Sequence, residues 1–70
     1  MQVAISPDGR LFQVHRVGTG QFTTLEVRGD GRLMRHASLD LPLRKTRKEA
    51  NKDMQLWGKA RNCEILEVPV

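Results

Sequence analysis

The chain has 70 residues, with 12 Lys/Arg against 8 Asp/Glu for a net charge of +4, 39% hydrophobic residues, 29% charged residues and a single cysteine. A chain this short makes one domain, residues 1–70, that buries only about 60% of the surface its unfolded form exposes, which excludes a large internal active-site cavity. Cys63 with His15 and His36 supplies neither an intramolecular disulfide nor the four protein ligands of a closed zinc site, so no metal or other cofactor is expected.

No stretch approaches the roughly 18 apolar residues of a membrane span, and the opening Met-Gln-Val lacks the basic and apolar regions of a secretory leader. No membrane partner is expected, and a cytoplasmic, reducing setting fits best.

Along the first forty residues, three turn signals punctuate the chain: Ser6-Pro7-Asp8-Gly9, Gly18-Thr19-Gly20 and Gly29-Asp30-Gly31. Between them lie LFQVHRV and QFTTLEVR, short and rich in β-branched and aromatic residues, so the pattern reads as a β-meander. Two-residue loops at Thr19-Gly20 and Asp30-Gly31 would pair Val14 with Leu25, Phe12 with Val27 and Met34 with Val27. A turn at Pro7-Asp8 would set Val3 opposite Phe12. That register gathers Val3, Phe12, Val14, Leu25, Val27 and Met34 on one core face. Val17 and Phe22 would then share the other face near a hairpin tip.

After Leu41-Pro42-Leu43 the period changes. Thr46-Arg47-Lys48-Glu49 has the form of a capping box, and Ala50, Met54, Trp57 and Ala60 fall on one stripe of a helix, with Leu56 at its edge. A helix is predicted over residues 46–61, although Gly58 could end it early and Asn62 suits a left-handed cap. CEILEV then forms a short last strand. The expected fold class is α+β: an antiparallel β-meander of three to four strands packed against one α-helix, with a short C-terminal strand.

Charge is unevenly placed. Residues 44–61 hold seven Lys/Arg against two acids, whereas residues 1–40 hold five against four. Arg44, Lys45, Arg47 and Lys48 crowd a helix N-terminus, where the dipole disfavours cations, and Lys48 and Lys52 repel at four-residue spacing. Lys48, Lys52 and Lys59 also share one helix face. Folding alone does not favour this placement; an anion docking there would. The candidate nucleic-acid-binding residues are therefore Arg44, Lys45, Arg47, Lys48, Lys52 and Lys59. Phe12, Phe22 and Trp57 are too few for a stacking platform, so duplex is expected over single strand. Base contacts could come from Asn51, Gln55, Gln13, Thr23 or Arg35.

Catalysis is not expected. Asp8 and Asp30 sit in turns, Glu49 and Asp53 on the helix, and Glu64 and Glu67 on the last strand, while Ser38 near His36 makes no mechanism. Arg28-Gly29-Asp30 matches an integrin-ligand tripeptide, yet the hairpin turn accounts for it. The meander followed by TRKEANKDMQLW resembles the arm-type DNA-binding domains of tyrosine recombinases over residues 10–60, a likeness that implies a helix on a three-stranded sheet and assigns no residue. The closing CEILEV resembles instead many small sheet-plus-helix accessory proteins of phages and plasmids, including ones that bind other proteins. The expected function is a small basic nucleic-acid-binding or regulatory accessory protein. The alternative is a protein-interaction module, an inhibitor or adaptor, for an acidic partner surface. An uncovered sheet edge leaves room for a homodimer.

Overall fold

A computed structural model describes residues 1–35 and 41–69. In chain order the elements are β1 (Gln2–Ile5), β2 (Leu11–Val17), β3 (Gln21–Val27), β4 (Leu33–Met34), α1 (Arg47–Ala60) and β5 (Glu64–Glu67). The strands form one antiparallel sheet in the order β4-β3-β2-β1-β5, and α1 packs across one face of it. This is the expected α+β meander with one helix, and the last strand rejoins the sheet beside β1. His36, Ser38 and Asp40 lie outside the described residues, and with them the readings of a metal or serine–histidine pair at His36.

The three hairpins share one device, and it corrects the expected register. Ser6 N–H donates to the Arg10 carbonyl at 2.9 Å, Val17 pairs with Gln21, and Arg28 N–H donates to the Arg32 carbonyl at 2.8 Å. Each loop therefore holds three residues and ends on a glycine with positive φ: Gly9 at 86°, Gly20 at 81° and Gly31 at 85°. A three-residue hairpin loop closes through a left-handed last residue, which glycine adopts without a Cβ clash. The extra residue shifts every pairing by one. Phe12 faces Glu26 rather than Val27, Val14 faces Thr24 rather than Leu25, Leu33 rather than Met34 faces Val27, and Val3 faces Gln13 rather than Phe12.

Because side chains alternate along a strand, a one-residue shift moves residues to the opposite face. Ala4, Phe12, Val14 and Phe22 line the helix side with Ile65, whereas Val3, Leu25 and Val27 turn away from it. Val17 and Phe22 consequently lie on opposite faces and make no joint patch. The helix side also holds Glu26, only 4% exposed, whose carboxylate accepts from Arg10 at 2.6 and 3.3 Å and from Arg28 at 3.4 Å. A buried carboxylate is tolerable only when paired in this way.

Helix boundaries follow local chemistry closely. Thr46 is the N-cap: its Oγ1 accepts from Glu49 N–H at 3.2 Å and donates its own proton to the Glu49 carboxylate at 2.9 Å. The acid thus secures the capping hydroxyl rather than the cap amide. At the other end Asn62, with φ of 60°, donates to the Lys59 carbonyl, and Cys63 N–H donates to the Gly58 carbonyl at 2.8 Å. That pair of bonds is a Schellman closure with Asn in the left-handed position. Ala50, Met54 and Trp57 are buried as the stripe predicts, and Leu41 joins them. Ala60 is exposed, and Gly58 takes its place against the sheet.

Gly58 is explained by closeness, since a Cβ there would lie 3.1 Å from Ile65 Cδ1, 3.3 Å from Cys63 Cβ and 3.5 Å from Ala4 Cβ. Gly58→Val is expected to overpack this junction, costing about 1–3 kcal/mol and lowering the melting midpoint by about 4–8 °C per kcal/mol. An unchanged midpoint would mean that the helix sits farther from β1 and β5 than described.

Candidate nucleic-acid interface

The buried stripe of α1 fixes what faces outward. Lys48, Lys52 and Lys59 lie opposite Ala50, Met54 and Trp57, so the docking of the helix turns all three into solvent as one ridge. Lys48 to Lys59 covers about 16 Å of helix axis at 1.5 Å per residue. Lys45, just before the cap, is exposed beside them. Among the described residues no carboxylate lies within ion-pair distance of Lys45, Lys48, Lys52 or Lys59.

Arg44 has a different place from these four. It forms a bridge with Phe22 at the outer edge of β3, and its guanidinium meets Asp53 of α1 through two bonds, Nε–Oδ2 at 2.6 Å and Nη2–Oδ1 at 3.2 Å. The hydrogen-bonded carboxylate stabilises the charged guanidinium and raises its pKa further. Arg44 therefore ties the approach strand to the helix, with its charge already matched.

Arg47 is held as well, though not by an acid. Its Nη1 donates to the Val14 carbonyl at 3.1 Å, and its Cζ stands 5.0 Å from the centre of the Phe22 ring. The bond is available because β1 pairs with β2 only over residues 11–13, so β2 runs on past its neighbour. The sequence reading missed Arg16, which pairs across strands with Phe22 and so shares its face. The signal for it lay in the hairpin register, and that register was one residue out.

The residues considered for base contacts are mostly engaged inside the protein. Thr23 is only 1% exposed, Gln55 donates to Gln2 at 2.5 Å, His15 Nε2 lies 3.1 Å from Gln13 Oε1, and Arg35 donates to the Leu41 carbonyl at 3.1 Å. Asn51 is half-buried between Arg47 and Gln55 in a shallow depression of the helix side. Phe12 and Trp57 are in the core, in an edge-on contact at 4.9 Å, and Phe22 lies beneath Arg47. What remains outward is charge rather than base-reading or stacking groups.

His15 reports on this charge. Burial first, and the nearby Arg47 guanidinium second, hold its pKa below the ordinary 6.5. The unfolded chain then takes up the proton before the folded one, so stability falls as pH drops through about 6.5 and levels off once the folded imidazole is also protonated. Following the His15 ring proton by NMR, assigned with His15→Gln, should show a midpoint below 6.5. Arg47→Gln should raise it, and a midpoint indifferent to Arg47 would place the guanidinium elsewhere.

Other groups give little chemistry. Burial pushes the Cys63 thiol upward, leaving it protonated. Among the described residues no three His, Cys, Asp or Glu side chains gather as a metal site, and no helix is long and apolar enough to cross a membrane. The sheet edges are β4, two residues long, and β5, which begins and ends on glutamate, features that discourage edge pairing.

Fold and surface together define a small α+β protein whose helix α1 presents a ridge of lysines that make no ion pair among the described residues. No protein-family model matches the chain, and neither a curated protein nor a solved structure is significantly similar to it. Its five-stranded sheet also differs from the three-stranded arm-type domain that its sequence resembles.

Proposed function

We propose that the protein is a small cytoplasmic accessory protein that binds nucleic acid by its phosphate backbone, along the outer ridge of α1. One observation carries this reading: Lys45, Lys48, Lys52 and Lys59 are exposed and make no ion pair among the described residues, while the acids of the helix, Glu49 and Asp53, bond to Thr46 and Arg44. Cations at a helix N-terminus and at four-residue spacing cost stability in the free protein, and a polyanion removes that cost. The 16 Å ridge matches about five base pairs of a duplex at 3.4 Å per step. Duplex is favoured over single strand because Phe12 and Trp57 are buried. With Thr23 buried, and Gln13 and Gln55 hydrogen-bonded within the protein, weak sequence preference follows.

A second reading, an inhibitor or adaptor for an acidic protein surface, draws on Leu56, which is 63% exposed on the same helix. An apolar side chain among lysines suits a protein partner better than a phosphate backbone. The two readings separate by retardation of short DNA and RNA duplexes at about 50 mM salt, with binding expected to weaken steeply as salt rises. Absence of binding to either duplex would end the first reading. An acidic protein that stays bound after nuclease treatment would favour the second.

A further inference from the structure

We propose that Arg16 and Arg47, gathered around Phe22, form a two-guanidinium clamp for a single backbone phosphate, separate in kind from the lysine ridge. This rests on the nucleic-acid reading above and adds a fixed contact to it. The sheet register places Arg16, Phe22 and Arg44 in one cross-strand row on the helix side. Residues in such a row have neighbouring side chains, about 4.5–5.5 Å apart at Cβ. Arg44 at one end is satisfied by Asp53, which leaves Arg16 at the other end as the exposed member of the row.

Arg47 completes the group from the helix. Its guanidinium is located by two contacts of different kinds, the Phe22 ring, whose centre lies 5.0 Å from Cζ, and the Val14 carbonyl at Nη1. A guanidinium carries five N–H donors, so this anchoring uses one of them in a hydrogen bond and leaves the others for an anion. Holding the fork in advance lowers the entropy lost when an anion arrives, which a flexible lysine cannot do. Neither arginine meets a carboxylate among the described residues. Planar donors of this kind suit the paired oxygens of a phosphate. Lys48, next to Arg47 in the chain, and Lys45, two residues before it, are both exposed and add positive charge at this end of the helix, which favours a repeating anion over an isolated one.

The division of labour is testable because charge and geometry can be changed separately. Arg16→Lys and Arg47→Lys keep the charge and remove the fork. Each is expected to weaken duplex binding about tenfold, the loss of one charge-assisted hydrogen bond, with the slope of log affinity against log salt unchanged because the number of cations is unchanged. Melting curves for both variants come first. Arg47→Lys loses its Val14 and Phe22 contacts, so if it melts early, Arg16→Lys, which has no such internal bond, carries the test. Wild-type affinity in the readable variants would overturn the clamp while leaving the lysine ridge standing. Failure of the unsubstituted protein to bind duplex would overturn the underlying reading and the clamp with it. Equal weakening toward poly-L-glutamate and toward duplex would overturn the assignment to phosphate in favour of an acidic protein.

Discussion

Trp57→Ala is expected to remove a large share of the protein's stability. Trp57 is 6% exposed, meets Phe12 edge-on at 4.9 Å, and carries the Arg61 guanidinium over its ring at 4.5 Å. Truncating a buried Trp typically costs about 3–5 kcal/mol. At about 0.05–0.15 kcal/mol per residue, a protein of this size has a total stability of roughly 4–10 kcal/mol. The two are comparable because one helix lies on one small sheet, and Trp57 is its largest contact with it. Thermal and urea melts should show a midpoint lower by at least about 12 °C, with the near-ultraviolet tryptophan signal used only for the parent. Leu56→Ala, on the exposed face one residue earlier, should change stability by no more than about 0.5 kcal/mol. If both substitutions were equally mild, the helix would not be seated on the Phe12 face at all.

Much of this architecture was legible because its signals are local. Thr46 with Glu49 starts the helix, Asn62 ends it, and Ala50, Met54 and Trp57 choose its buried side. Turn residues likewise marked all three hairpins. Register was another matter, because Gly18-Thr19-Gly20 serves a two-residue or a three-residue loop equally well on composition. The decision rested on gathering Phe12, Val14, Leu25 and Val27 on one side, a criterion that fails when both faces of a sheet carry apolar residues. Gly58 was opaque for a different reason. Its meaning lies in Ala4 and Ile65, which reach it only through the packing of β1 and β5.

The candidate interface divides along the same line. Lys48, Lys52 and Lys59 could be grouped from helical spacing alone, since their exposure follows once the apolar stripe is known. Arg44 belonged to the same run of sequence but to a different structural unit, because its bridge to Phe22 turns its side chain toward Asp53. Arg16 could not be found without the correct register. A run of like charges in a sequence is therefore several objects, sorted by which of them meets an acid after folding.

Reversing the ridge should accordingly do far more to binding than to folding. Lys45, Lys48, Lys52 and Lys59 of the ridge, together with Arg16 and Arg47 of the clamp, are six cations with no carboxylate within ion-pair distance among the described residues. If all six reach phosphates of a duplex, log affinity should fall against log salt with a slope of about −5.4, or about 1,800-fold between 50 and 200 mM. Lys48→Glu combined with Lys52→Glu leaves four, for a slope of about −3.6 and a fall of only about 150-fold over the same range. Affinity at about 50 mM salt should drop at least 100-fold, because the two new carboxylates also repel the backbone. Stability should hold or rise slightly, since the i,i+4 repulsion is only exchanged in sign while acids replace cations in the first turns of the helix. Unchanged slope and affinity in a folded double variant would remove the ridge from the interface. Loss of folding would instead mean that these lysines carry contacts the fold does not show.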